Sequence, residues 1–407
     1  MAVELPKLAE GTLRTLTGMP GTSDVVSHDL VHHVVGDPIL GAAIIAEWTQ
    51  AGQASQVDEH HIKLTTIMQP ASESLPAYRL VIGWYATRAT MADKATQPHS
   101  FRISPAYAKP GQLYESAEHA KTWFYEHLRG LTAMLNAAHD HGWHDLVLQL
   151  AEPLWSLHRL TGDHENELAT QTLALAAAEH LPEDHQARTL AVCHSRAAYA
   201  LSSLQRHTEA FQASELALEY AWAADEPRIL SAALSICGRA HQFAKQPHAA
   251  MKYYRQALAL AEQLEDPRSL ALRHRRIGEV LVELDDPSGA ISHHEKAAEL
   301  MKTADDTVGH ARVITFLGRA LLTGEQPAST YAAVYPALKI LATSGSDYWQ
   351  ADANEVLGQA SEHADPTGSA ALRFYTEAID KFESGGEPMH ADRVRARVAA
   401  LTPQLPQ

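Results

Sequence analysis

LSICGRAHQFA (234–244), RHRRIGEVLVEL (273–284) and ARVITFLGRALL (311–322) decide the fold. Each carries one glycine inside an otherwise helix-favouring stretch: Gly238, Gly278 and Gly318. These lie 40 residues apart, and the same step reaches back to Ala198 and forward to Gly358. A second column of small residues lies twelve positions further on, at Ala210, Ala250, Ala290 and Ala370, with Thr330 as its exception. A third lies nineteen on, at Ala217, Ala257, Ala297 and Ala337, and reaches Ala378 after a slip of one residue. Three columns in phase over five units are the mark of internal repeats, stacked so that neighbours bury a continuous core. Each unit reads as two helices, the second being a stretch such as HAAMKYYRQALALAEQ (248–263) or GAISHHEKAAELMK (289–302). Small residues at the columns are expected to let two helix backbones approach closely. The acidic-Pro pairs Glu226-Pro227, Asp266-Pro267, Asp286-Pro287 and Asp365-Pro366 punctuate the pattern where turns belong, since proline cannot continue a preceding helix.

This spacing resembles tetratricopeptide repeats, in which a small residue on the first helix and alanines on the second hold the pair together. Their usual period is about 34 residues, so the six extra here would lengthen helices or loops. HEAT-like pairs also run near about 40 residues, but the three-column spacing favours the tetratricopeptide type. His158 and Ala177 keep the register upstream. Residues 131–188 therefore read as one or two degenerate entry repeats, 189–400 as five tetratricopeptide-like repeats, and 401–407 as a tail.

Residues 1–75 are of another kind. VVSHDLVHHVVGDPILGAAIIAEWTQAGQASQVDEHHIKLTTIMQ (25–69) holds two short amphipathic helices, a polar turn and a β-prone stretch from His61 to Met68, as in a winged helix. Such a domain suggests DNA binding, but nine Asp and Glu here face only Lys7, Arg14 and Lys63, so phosphate repulsion opposes it. The order TLTGMPGTSD (15–24), HDLVHHVVGDP (28–38), AAIIAEWTQAGQ (42–53) and IKLTTIM (62–68) resembles the winged-helix domain of STAND-class regulators, including the actinobacterial antibiotic-pathway activators that end in tetratricopeptide repeats. Residues 76–130, beginning YRLVIGWYATRATMADKATQP (78–98), resemble the helical bridge between the two parts, with Tyr85 and Trp123 as packing aromatics. The resemblance thus implies an all-α chain: a winged-helix-like domain followed by a right-handed α-solenoid of period 40. The family's ATP-binding domain has a P-loop, and here no Gly-Lys dipeptide occurs, so GxxxxGK[ST] is absent. The activators' Arg-rich DNA-binding domain is missing too. The expectation is the sensor half of such a switch standing alone, without cofactor or direct DNA binding. A homo-oligomer, or an ATPase acting in trans, remains compatible with it.

Composition agrees with a folded chain: 407 residues, 45% hydrophobic and 20% charged. With 49 acidic and 33 basic side chains the net charge is −16, opposite to the basic stripe of a nucleic-acid binder. No apolar run approaches the ~18–20 residues a bilayer requires, and MAVELPKLAEG (1–11) has neither a basic nor an apolar leader region, so a cytoplasmic protein is expected. Cys193 and Cys237 allow no CxxC knuckle and read as buried reduced thiols. Of 25 histidines the densest group is AAHDHGWHD (137–145). Gly142 interrupts any shared helix face for His141 and His144, and HExxH is absent, so a capping turn is favoured over a metal site. GxSxG, GxGxxG and HxE…PCxxC are also absent. Neither catalytic nor metal residues are assigned.

In tetratricopeptide arrays the concave face belongs to the first helix of each pair. The residue after each column position is Tyr199, Arg239, Glu279, Arg319 or Gln359; that three before it is Ser195, Ser235, Arg275, Thr315 or Glu355. Other groove positions add Arg312, Gln242 and Phe243. The candidate ligand groove is therefore Tyr199, Arg239, Gln242, Phe243, Arg275, Glu279, Arg312 and Arg319. Guanidinium forks match carboxylates and phosphates, so an acidic peptide, a C-terminal carboxylate or an anionic effector would suit it. Alternatively, Glu279, Glu283 and Glu355 neutralise these arginines as salt bridges between neighbouring repeats. The Lys/Asn clamp of chaperone-binding repeats is not present at the equivalent positions. A non-catalytic sensor or adaptor for a peptide, protein or anionic effector is the expected function; an enzyme or biosynthetic accessory on a helical scaffold is the alternative.

Overall fold

The computed structural model describes residues 5–18, 25–65, 75–108, 111, 113–343, 346–364 and 368–401. They divide into two compact units: one runs through Leu157 and takes back Ala176–His180, the other holds His158–Leu175 and the residues from Leu181 on.

The first unit opens with α1 (Leu5–Gly18), β1 (Val25–Ser27), α2 (His28–Val35), α3 (Pro38–Gln50), β2 (Ala54–Gln56) and β3 (His61–Leu64). The strands form one antiparallel sheet in the order β1-β3-β2, with Val26 opposite Ile62 and Ala54 opposite Leu64. Among the described residues this sheet is the one departure from an all-helical chain. Helices α2 and α3 and the β-prone His61 match the sequence pattern; Thr66–Met68 of the anticipated strand lie outside the described residues. Ser27 caps α2 by accepting from the Leu30 N–H, and Gly36 ends that helix at φ +78°. Asp37 caps α3 with Pro38 at its first position, and Trp48, fully buried, donates its Nε1–H to the Ala9 carbonyl at 3.1 Å.

Three longer helices follow: α4 (Leu75–Thr96), α5 (Ala117–Asp140) and the first part of α6 (His144–Thr161). Tyr85 and Trp123 do pack together, their rings 6.4 Å apart, with His127 stacked on Trp123. Arg102 fastens the segment after α4. Its Nε donates to Asp93 at 2.7 Å, while the Glu152 carboxylate accepts from the Ile103 and Ser104 amides. The AAHDHGWHD stretch is a capping turn, with Gly142 at φ +68° between α5 and α6. No single helix among the described residues is long and apolar enough to cross a membrane.

The second unit is the α-solenoid. After the end of α6 come α7 (His164–Ala178), α8 (Glu183–Ser203), α9 (His207–Ala223), α10 (Pro227–Phe243), α11 (Pro247–Ala261), α12 (Pro267–Glu283) and α13 (Pro287–Thr303). The array continues with α14 (Thr307–Thr323), α15 (Pro327–Thr343), α16 (Asp347–Ala364), α17 (Ser369–Ser384) and α18 (Pro388–Leu401). The extra residues of the long period sit in the helices. From α12 to α15 every helix has 17 residues, joined by turns of three. Asp266 and Asp286 act as N-caps before their prolines, Asp266 accepting from the Arg268 and Ser269 amides and Asp286 from the Gly289 amide. Asp365-Pro366 lies outside the described residues.

The column residues are buried, but the reason differs from a backbone-to-backbone approach. A Cβ at Gly238 would stand 2.6 Å from the Tyr254 ring, at Gly278 2.6 Å from the His294 ring, and at Gly358 2.6 Å from the Tyr375 ring. Each glycine is the floor of a slot for a side chain from the paired helix. Gly318 accommodates Val334 in the same way. Thr330, the exception in the second column, is buried and satisfies its hydroxyl at the Gln326 carbonyl 3.0 Å away.

One contact joins the ends of this unit. A Cβ at Gly162, in the α6–α7 turn, would lie 2.9 Å from a Glu387 carboxylate oxygen, and one at Gly386 would lie 3.0 Å from the Thr161 carbonyl. The first turn of the solenoid therefore rests against the α17–α18 turn, and the superhelix closes on itself.

Candidate functional site

Helices α8, α10, α12, α14 and α16 present one edge each to the interior of the second unit. The eight residues singled out from the sequence fall on α8 to α14, and most of them meet. The Arg239 guanidinium lies over the Tyr199 ring at 4.2 Å and over Phe243 at 4.6 Å. Arg275 lies over Phe316 at 5.0 Å and Arg312 over Trp349 at 5.3 Å, while Phe316 and Trp349 meet edge to face at 5.8 Å. Arg159, at the end of α6, also lies over Tyr199, at 4.1 Å. Each desolvated guanidinium–ring pair stabilises by about 0.5–2 kcal/mol.

Among the described residues, carboxylates within ion-pair distance are seen for only some of these arginines. Glu279 takes Arg276 at 2.9 Å and Arg275 at 3.3 Å. Arg319 pairs with Asp352 of the next repeat. Arg239 and Arg312 have no ion pair with a carboxylate among the described residues, and their Nε–H groups are shut off from solvent without a hydrogen-bond partner. The salt-bridge alternative thus applies to Arg319 and, within its own helix, to Arg275. Glu355 instead takes Arg393 at 2.6 Å. Gln242 is fully engaged, its oxygen accepting from Tyr254 Oη at 2.9 Å and its nitrogen donating to Glu283 at 2.6 Å.

Electrostatics record the gathering of guanidiniums. Burial alone would raise the Tyr199 phenol, but the guanidiniums of Arg159 and Arg239 pull it down to about 7. Burial also opposes charge on Glu279, yet Arg276, Arg275 and Arg239 hold its carboxyl at about 2. The arginines suffer in turn: burial, with repulsion from Arg276, lowers Arg275 to about 9. Arg312 falls to about 10, again through burial first.

Arg159, Arg276, Phe316, Trp349 and Asp352 were missed in the sequence. Asp352 could have been found, since it occupies in its repeat the register that Arg312 occupies in the one before. Arg159 carries no such signal, because it belongs to a degenerate repeat. Among the described residues no group of three His, Cys, Asp or Glu could hold a metal ion. Both cysteines are buried, and burial pushes the Cys237 thiol up to about 11.

No protein-family model matches the chain, and no curated protein matches it. Among solved structures it is similar to a Rap protein complexed with Competence and Sporulation Factor, with a TM-score of 0.51 at 13% identity over 93% of this chain and 95% of that one. It is also similar to aspartyl phosphate phosphatase F from Bacillus subtilis, at 0.51 and 13% over 88% and 84%. A signal transduction ATPase with numerous domains and a tetratricopeptide repeat sensor, from Pyrococcus horikoshii, gives 0.49 and 11% over 98% of this chain and 64% of that one. At such identities the likeness concerns the fold, which is that of tetratricopeptide-like repeats.

Proposed function

We propose that the second unit is a recognition module: a non-catalytic sensor or adaptor that binds an anionic ligand, whether peptide, protein segment or small effector, inside the superhelix. The observation that carries this is the pair Arg239 and Arg312, held on aromatic faces with enclosed, unpartnered Nε–H groups in a chain of net charge −16. An unpartnered buried donor is costly to the folded state, and a ligand oxyanion relieves that cost. The solved Rap complex holds Competence and Sporulation Factor on a similar fold, which supports the same reading. The first 75 residues, with the helix–strand–helix–helix–strand–strand order of a winged helix, are proposed to be a docking or signalling domain rather than a DNA reader. Their acidic balance supports this.

The test is equilibrium dialysis of the purified chain against an extract of its host, beside the double variant Arg239→Gln/Arg312→Gln. Molecules retained by the wild type and not by the variant should be anionic and released by about 0.5 M salt, where screening is nearly complete within ~5 Å. Equal retention by both proteins would refute the assignment.

A further inference from the structure

Two features of the second unit bear on what kind of anion fits. The first is the seam, where the turn around Gly162 touches Gly385 and Glu387 and so closes the solenoid into a single turn. The second is that arginines from distant repeats face one another across the interior. Arg159 from the first repeat lies near enough to repel Arg239, Arg275 and Arg312, which come from three successive later repeats. Guanidiniums of distant repeats therefore gather in the bore of the superhelix, Arg159 and Arg239 on the same Tyr199 ring, instead of standing far apart along successive repeats.

We propose that this bore takes a compact polyanion, carrying phosphate or carboxylate groups on a small frame, gripped simultaneously by Arg159 of the first repeat and by Arg239 and Arg312 of later ones. The inference rests on the reading of the bore as the binding site and narrows it to a ligand class. An extended acidic strand would need a path along successive repeats, and the seam denies it a lateral way in. A compact anion needs only convergent donors. Arg159 and Arg239 converge on Tyr199, and Arg312, seated on the Trp349 ring, lies close enough to feel the Arg159 charge. Because the anion bridges the first repeat to later ones, its binding also draws the two sides of the seam together.

Isothermal titration with sodium tripolyphosphate, with citrate and with a penta-glutamate peptide tests this on the full chain. Tripolyphosphate or citrate should bind with a single equivalent, and roughly tenfold or more tighter than the peptide, since each charge-assisted contact is strong. The tighter of the two tells phosphate from carboxylate. Arg159→Gln, Arg239→Gln and Arg312→Gln should each weaken binding by roughly tenfold, with circular dichroism unchanged. Arg255→Gln, exposed on α11, serves as the charge-matched control and should have no effect. Amide exchange of 161–163 and 385–387 should slow when the ligand is present. Tighter binding of penta-glutamate overturns the compact-ligand inference while leaving the bore as the site. Affinity unchanged by Arg239→Gln and Arg312→Gln overturns the site itself. Loss with those two but not with Arg159→Gln overturns the bridging role of the first repeat, and binding of none of the three probes overturns the proposal outright.

Discussion

At Gly278 the missing side chain makes room for His294. That ring is 1% exposed, and burial holds it neutral by lowering its pKa to about 4. Gly278→Leu should cost at least ~1–3 kcal/mol by overpacking, read as a lower urea midpoint at unchanged slope. The same histidine makes stability depend on pH with a definite sign. Its folded pKa lies below the unfolded value of about 6.5, so the unfolded chain binds the extra proton. Stability from this group is complete above about pH 6.5 and is lost as pH falls towards 4, by about 1.4 kcal/mol per pH unit. His294→Phe should flatten the acid limb of a stability–pH curve; an unaltered limb would mean the loss arises elsewhere. Arg319 shows the opposite case of a committed pair. Asp352 is 2% exposed, so Arg319→Ala leaves a buried carboxylate without its partner and should cost about 3–5 kcal/mol in thermal or urea unfolding. That variant therefore reports on scaffold stability more than on ligand.

The turns between helices carry their own signature. Gln205, Lys245, Asp285 and Glu325, spaced 40 residues apart, all take φ between 56° and 60°, and Asp225 and Asp305 take φ of 50° and 57° between repeats. Glycine is the usual residue at this helix-terminating position, and a side chain there costs about 1–2 kcal/mol. Lys245→Gly and Asp285→Gly should each stabilise by about 0.5–1 kcal/mol, after the entropy glycine adds to the unfolded chain. Unchanged or lower denaturation midpoints would show that those side chains hold contacts of their own. These positions also show what a sequence can and cannot reveal about an element. The small-residue columns were legible because a steric requirement repeats at fixed spacing and selects Gly or Ala everywhere but at Thr330. Their partners were not, because Tyr254, His294, Val334 and Tyr375 share a place but no chemistry. The left-handed turns were hidden for the same reason, since Gln, Lys, Asp and Glu stand where glycine would have announced them. β2, the three residues ASQ, offers no apolar alternation to read.

On the scale of the whole second unit, the four arginines of the groove could be picked out one by one, since register alone places them. What they face could not, because Arg159 and Trp349 come from other repeats and the bore exists only once the array has curved. The seam at Gly162 and Glu387 changes the statistics of that array. An open stack of repeats behaves as a one-dimensional chain in which each unit answers to its neighbours, and its two ends fray because each lacks one neighbour. Joining the ends supplies the missing neighbour, so the array acquires a periodic boundary and opening must break two interfaces at once instead of peeling from a tip. Gly162→Val, strained at φ +68° and pressed against Glu387, should restore the free ends. Amide exchange should then accelerate together at 158–164 and 385–390, although more than two hundred residues separate them in sequence; acceleration confined to the mutated turn would mean that the boundary carries no coupling.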